Sequence, residues 1–199
     1  MSTNIRTLST NDASPGNDVN GLLYTPDLPS GSVCITASED YVPQNVTRLA
    51  DLPETQLNLI AIAPWVSPEC TAAYLEAAGN DPVQGFIFFL VGNGYANDSS
   101  APPLGNSNDW VIGDGGKWKS SSHFPVYAVP GQTGSALMDA SAQYSGNLSQ
   151  VPFSSDLATE YGPADFVRLY VDLNTTGGGV NLPSLCSYFL RQSQMRASS

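Results

Sequence analysis

Apolar residues in this chain gather in short runs, and the densest information lies between positions 57 and 92. Leu57-Asn-Leu-Ile-Ala-Ile-Ala63 is apolar on both faces, the pattern of a strand covered on both sides. Ser67-Pro68-Glu69 reads as a helix start: Ser at the N-cap, Pro at the first helical position, an acid in the first turn. Cys70, Ala73, Tyr74 and Ala77 then follow the i, i+3, i+4, i+7 spacing of one buried helix face, and Gly79 ends it. Val83 to Val91 forms a second buried strand. The stretch predicts a strand–helix–strand unit with parallel strands.

The flanks are read the same way. Gly21-Leu-Leu-Tyr24 and Ser32-Val-Cys-Ile-Thr36, separated by Pro26, Pro29 and Gly31, predict a pair of strands. Residues 38–56 read as loop. Phe124-Pro-Val-Tyr-Ala-Val129 predicts a strand, followed from Gly131 by a helix with Leu137, Ala140, Ser141 and Tyr144 on one face. Between the two units, 93–123 is a long loop holding Trp110 and Trp118, and a loop of that length in a compact domain is often functional. Val167, Leu169, Val171 and Leu173 alternate with Arg168, Tyr170 and Asp172, predicting one half-exposed strand. Three regions follow: a poorly ordered lead-in at 1–20, a domain at 21–175, and a linker and tail at 176–199. Thr175-Thr-Gly-Gly-Gly179 reads as the linker, and the tail carries Arg191 and Arg196 with no acid.

Charge narrows the function. The 199 residues carry 7 Lys+Arg against 18 Asp+Glu, a formal net charge of −11. A phosphate backbone or an anionic membrane surface needs a basic stripe, so nucleic acid is excluded as a partner. No run reaches the ~18 consecutive apolar residues of a membrane span. Met1 to Thr10 has no apolar core of the kind a signal peptide needs, which taken literally predicts a soluble cytosolic chain.

Candidate chemistry is sparse. Cys34, Cys70, Cys186 and the one histidine, His123, are the only soft metal ligands, and they lack zinc-site spacing. The odd cysteine count suggests one disulfide and a leftover thiol. His123 lies next to Ser120-Ser-Ser122, but there is no G-x-S-x-G elbow and no H-E-x-x-H. Gly113-Asp-Gly-Gly-Lys-Trp118 only superficially resembles a phosphate loop: Val111 stands where the first glycine belongs, and Trp118 where the hydroxyl belongs. The junction Pro64-Trp-Val-Ser67 has no glycine for a dinucleotide turn. Asp109 with Asp114, or Asn97 with Asp98, could ligate calcium, although acids in such loops are usually just solvated. Asp156 and Glu160 read as surface. The expectation is therefore no catalytic residue, no resident metal and no cofactor. Four N-glycosylation sequons occur, at Asn45, Asn97, Asn147 and Asn174, all in predicted loops or strand ends. They lean toward a secretory compartment.

Leu59-Ile-Ala-Ile-Ala63, then Cys70, then Ala73-x-x-x-Ala77-Ala-Gly79, then Gly85-Phe-Ile-Phe-Phe89 resembles the core of a protease-associated (PA) domain. Gly21–Tyr24 leading to Cys34, and Phe124–Val129 with Gly134-Ser-Ala-Leu137, are similar to the family's outer segments. The resemblance covers roughly residues 20–173. It departs at Pro64-Trp-Val-Ser-Pro68, where the family commonly has Arg-Gly. The resemblance implies an α+β fold: a curved mixed sheet or open barrel flanked by two helices, without catalysis of its own. It implies a binding module for luminal proteins or peptides, as in vacuolar sorting receptors and the luminal region of transmembrane RING-type ubiquitin ligases. The chain would then be a fragment that lacks the membrane helix and the RING. The alternative is an accessory PA domain of a secreted or vacuolar peptidase, and a third reading is a cytosolic α/β protein with accidental sequons. The resemblance also implies a Cys34–Cys70 bridge, with two buried free thiols as the alternative. Trp110 and Trp118 are the candidate contact residues, with packing over the sheet as the other role open to them.

Overall fold

The computed structural model describes residues 5–9, 19–52, 58–92, 94–153, 155–160, 162–174 and 179–181. Its centre is a curled seven-stranded mixed sheet. The strands are β1 (Arg6–Thr7), β2 (Val19–Tyr24), β3 (Leu59–Trp65), β4 (Val83–Leu90), β5 (Val126–Val129), β8 (Tyr170–Asn174) and β9 (Gly179–Asn181). They lie side by side in the order β1-β5-β4-β3-β2-β8-β9. The run from β2 to β5 is parallel, whereas β1, β8 and β9 each pair antiparallel with their neighbours. A second, two-stranded sheet joins β6 (Gly146–Asn147) to β7 (Phe166–Val167). The helices are α1 (Val33–Ser38), α2 (Pro68–Gly79), α3 (Trp118–Ser121), α4 (Gly131–Gln143) and α5 (Ser155–Glu160). The architecture is mixed α/β rather than α+β, because the four central strands are parallel and the crossover of β3 to β4 is a helix.

Alternation on β3 and β4 builds two cores. Leu59, Ala61, Ala63 and Trp65 join Phe86, Phe88 and Leu90 under α2 and the 105–124 segment. Ile60 and Ile62 join Ile87 and Phe89 under α4. The proline inside β3 is tolerated for a local reason. The Asn58 carbonyl accepts from Leu22 N–H, so alternation turns Pro64 toward β2 as well, past the point where β2 ends at Tyr24. No ladder bond is lost.

Four expectations are corrected. Val33–Ser38 is a helix, not a strand: Ser32 caps it through Cys34 N–H at 3.3 Å, and Cys34 and Ser38, four apart, form its buried side. The lead-in is partly ordered, with Arg6–Thr7 paired to β5, Leu8 buried, and Val19–Asn20 already inside β2. The sheet continues past position 176, since β9 pairs with β8. The predicted strand at 167–173 is interrupted at Arg168–Leu169, dividing it between two sheets, and Arg168 is buried rather than solvent-facing. Its guanidinium donates to the carbonyls of Val167 (2.8 Å), Asp51 (3.0 Å) and Gly146 (3.3 Å), tying three segments together. Residues 175–178 of the expected linker, and the tail from 182 with Cys186, Arg191 and Arg196, lie outside the described residues.

Candidate functional site

α2 starts where the sequence places it. Ser67 Oγ accepts from Cys70 N–H at 3.2 Å, and Pro68 opens the first turn. Cys70, Thr71, Tyr74 and Ala78 turn inward. Cys70 is bonded to Cys34 of α1 with Cα atoms 5.2 Å apart, within the range a disulfide spans, and both residues are buried. One turn further on, Ser38 Oγ and Tyr74 Oη lie 2.8 Å apart and bind the same two helices again.

The other side of α2, carrying Ala72, Leu75, Glu76 and Gly79, faces the segment that joins β4 to β5. That segment is an ordered cover rather than an open loop. Ser107 Oγ accepts from Asp109 N–H, and Asp114 accepts from Gly116 N–H (2.9 Å) and Trp118 N–H (2.6 Å), starting α3. Trp110 Nε1 donates to the Pro103 carbonyl at 3.1 Å, and Lys119 Nζ to that of Gly105 at 2.5 Å. Trp110 and Trp118 both close on Trp65, with ring centroids 5.0 and 5.7 Å from it, and Phe88 approaches Trp65 at 5.2 Å. Trp110 is fully buried and Trp118 is 4% exposed. The two tryptophans therefore pack as core, Trp110 wholly and Trp118 with an edge that lines the groove described next. Trp118 Nε1 has no hydrogen-bond partner but is sealed from solvent, so it offers nothing to a ligand.

Between α2 and residues 112–124 an open groove of about 260 Å³ remains. Ala72, Leu75, Ile112, Trp118 and Phe124 supply apolar walls; Glu76, Ser121, Ser122 and His123 supply polar groups. His123 is exposed, its ring edge-on to Phe124 at 5.0 Å. Ser120 and Ser121 donate back to the carbonyls of Lys117 and Trp118, so these hydroxyls serve the helix.

The opposite end of the parallel strands, where open α/β sheets bind ligands, is filled by the chain itself. Residues 95–103 lie over the ends of β4 and β5, held by Gln132 N–H to the Asp98 carbonyl (3.1 Å), Ser135 Oγ to Ala96 (3.3 Å) and Arg6 Nε to Pro102 (3.4 Å). A cavity of about 10 Å³ is left among Leu90, Tyr95, Pro102 and Gly131, room for about one water. A side chain at Gly131 would collide with the Tyr95 carbonyl, so the glycine is what lets this cover close.

The remaining candidates are dispersed. Asp98 accepts from Ser100 N–H, which pulls its carboxyl below the usual range; Asp109 and Asp114 belong to the turns just described. Among the described residues no three His, Cys, Asp or Glu side chains come together to hold a metal. Asn45 and Asn97 are exposed and Asn147 is half-buried, while Asn174 ends β8 with its side chain outside the described residues, as are those of Asp156 and Glu160. No helix among the described residues is long and apolar enough to cross a membrane. The groove was missed in the sequence because its walls come from two distant segments; only the Trp-bearing insertion pointed toward it.

Fold and site together define a disulfide-stapled mixed α/β domain with an open groove beside α2. In comparisons with protein-family models, with curated proteins and with solved structures, nothing matches this chain.

Proposed function

We propose that the protein is a non-catalytic module that binds proteins or peptides in a secretory compartment, as its resemblance to PA domains implies, and that the groove between α2 and residues 112–124 is its contact surface. The observation that carries this reading is the groove itself, lined by apolar and polar side chains together. At about 260 Å³ it falls below the roughly 300–1,000 Å³ of small-molecule and cofactor sites. It suits one apolar side chain of a peptide whose backbone lies along Glu76, Ser121 and His123. The Cys34–Cys70 bridge is at home in an oxidising lumen. In this reading Trp118 shares the contact role as one wall of the groove, while Trp110, fully buried against Trp65, holds that wall in place.

The test is selection of binders from a random peptide library, followed by titration into the isotope-labelled chain. Amide shifts are expected at residues 72–79 and 112–124, and Leu75→Glu should weaken binding by about tenfold or more, roughly 1.4 kcal/mol. Shifts confined to the α4 side, or an unchanged affinity in Leu75→Glu, would refute the placement.

A further inference from the structure

The three sequons whose side chains the structure describes share one side of the molecule. Asn97 ends a turn that packs on the first half of α4, where Ser135 Oγ reaches the Ala96 carbonyl. Asn45 lies at the other end of the same helix, its Nδ2 donating to the Ala142 carbonyl at 2.9 Å. Asn147 follows the α4 C-cap, Tyr144, by three residues. The groove is on the opposite side, under α2. We propose that the α4 side is a glycan-bearing surface, modified at Asn45, Asn97 and Asn147, which leaves the α2 side bare for contact. This rests on the secretory reading given above.

The chemistry is a glycosyl transfer from a lipid-linked oligosaccharide diphosphate. Nδ2 attacks the anomeric carbon and loses one proton to a base of the transferase. The C–N bond forms as the C–O bond to the diphosphate breaks, and that electron pair leaves on the diphosphate. The remaining Nδ2 hydrogen of Asn45 can still serve the Ala142 carbonyl.

The sites also differ in when they can react. Thr47, the hydroxyl residue of the first triplet, is buried, and its Oγ donates to Ser145 Oγ at 3.0 Å. Ser99 and Ser149 are exposed. Asn45 must therefore be modified before the domain closes, whereas Asn97 remains open to the transferase afterwards.

The full chain, directed by an added leader through the secretory pathway of a eukaryotic host, would be treated with peptide N-glycosidase in heavy-oxygen water and mapped by mass spectrometry. Labelled Asp is expected at positions 45, 97 and 147. Asn97→Gln should remove a single mobility step. The wild-type map needs no variant, so a variant that fails to fold does not affect the result. Lack of label at any of the three positions in the secreted chain overturns the assignment of that surface. If the leader-directed chain is labelled but the chain from its own cells is not, the secretory reading falls, and with it the modification in the native protein.

Discussion

The two faces of the central sheet are covered by different means. Under α4 the core is mostly aliphatic, with Ile60, Ile62, Ile87, Val129, Leu137 and Met138 meeting a regular helix. Gly134 lets that helix settle directly on Phe89. Under α2 the core is aromatic, with Trp65, Trp110, Trp118, Phe86, Phe88 and Phe124 meeting a helix on one flank and an irregular segment on the other. Branched aliphatic side chains below a close-set helix interdigitate at crystal-like density. Large rings meeting at mixed angles, under a cover that turns through Gly113, Gly115 and Gly116 at positive φ, leave a concavity where the two covers fail to meet. The open face is thus the one whose cover is made by two distant pieces.

If the tryptophans hold that irregular cover, the largest loss comes from emptying their centre. Trp110→Ala removes a fully buried indole and its bond to Pro103, and should cost about 3–5 kcal/mol in urea unfolding. It should also collapse the groove, abolishing peptide binding; retained affinity would show that the groove wall stands without the cluster. Next comes the staple between α1 and α2. Replacing Cys34 and Cys70 together by serine opens a closed loop whose ends are 36 positions apart and should cost about 2–4 kcal/mol. α1 meets α2 rather than the sheet in its principal contacts, so exchange protection should fall first in residues 33–38.

The centre of the fold, though not this contrast, could be read in advance. The strand–helix–strand unit at 57–91 was legible because local signals agree there: two-sided apolar runs, a Ser-Pro-Glu start and a glycine stop. Elsewhere tertiary contacts overrode local pattern. Val33-Cys-Ile-Thr36 has strand composition, yet Ser32 capping and the bond to Cys70 hold it as helix. Arg168 occupies an outward position in the alternation, but three carbonyls from separate segments draw it inside, where its Nε remains unpaired and burial lowers its pKa. The insertion announced itself by its two tryptophans, yet whether they faced a partner or the core depended on Trp65, forty-five positions before the first of them. Sequence spacing carries no record of that meeting.

The α4 face should fail by crowding rather than by voids. Gly134→Ala improves helix propensity, by about 1 kcal/mol on an open surface. Here the new methyl would run into Cβ and Cγ of Phe89, atoms too near the backbone to swing away. A net loss of about 1–3 kcal/mol is expected in urea unfolding. A neutral or stabilising result would show that α4 can lift off the sheet, and the contrast between the faces would lose its physical basis.

The smallest effect at neutral pH comes from the aromatic face, and alkali offsets it. Tyr24 is fully buried and donates to Asp81 Oδ2 at 2.9 Å. Burial, then that bond and the Asp81 and Asp27 charges, push its phenol far above the ordinary value of 10.0. Tyr74, beside it in the same core, is raised by burial, and Tyr127 on the α4 side is raised by burial alone. Above pH 10 the unfolded chain releases these protons while the folded chain keeps them. Their contribution is therefore complete below that pH and is lost as pH climbs toward the folded values, at about 1.4 kcal/mol per pH unit for each phenol. Tyr24→Phe should cost about 0.5–1.5 kcal/mol at neutral pH, where only the bond to Asp81 is lost, and should flatten the alkaline decline by one phenol. Tyr127→Phe should also flatten the decline, without reproducing the loss of the Asp81 bond. Urea midpoints measured at neutral pH and again above pH 10 would separate the two variants, and equal neutral-pH losses would show that the Asp81 bond adds nothing to the aromatic face.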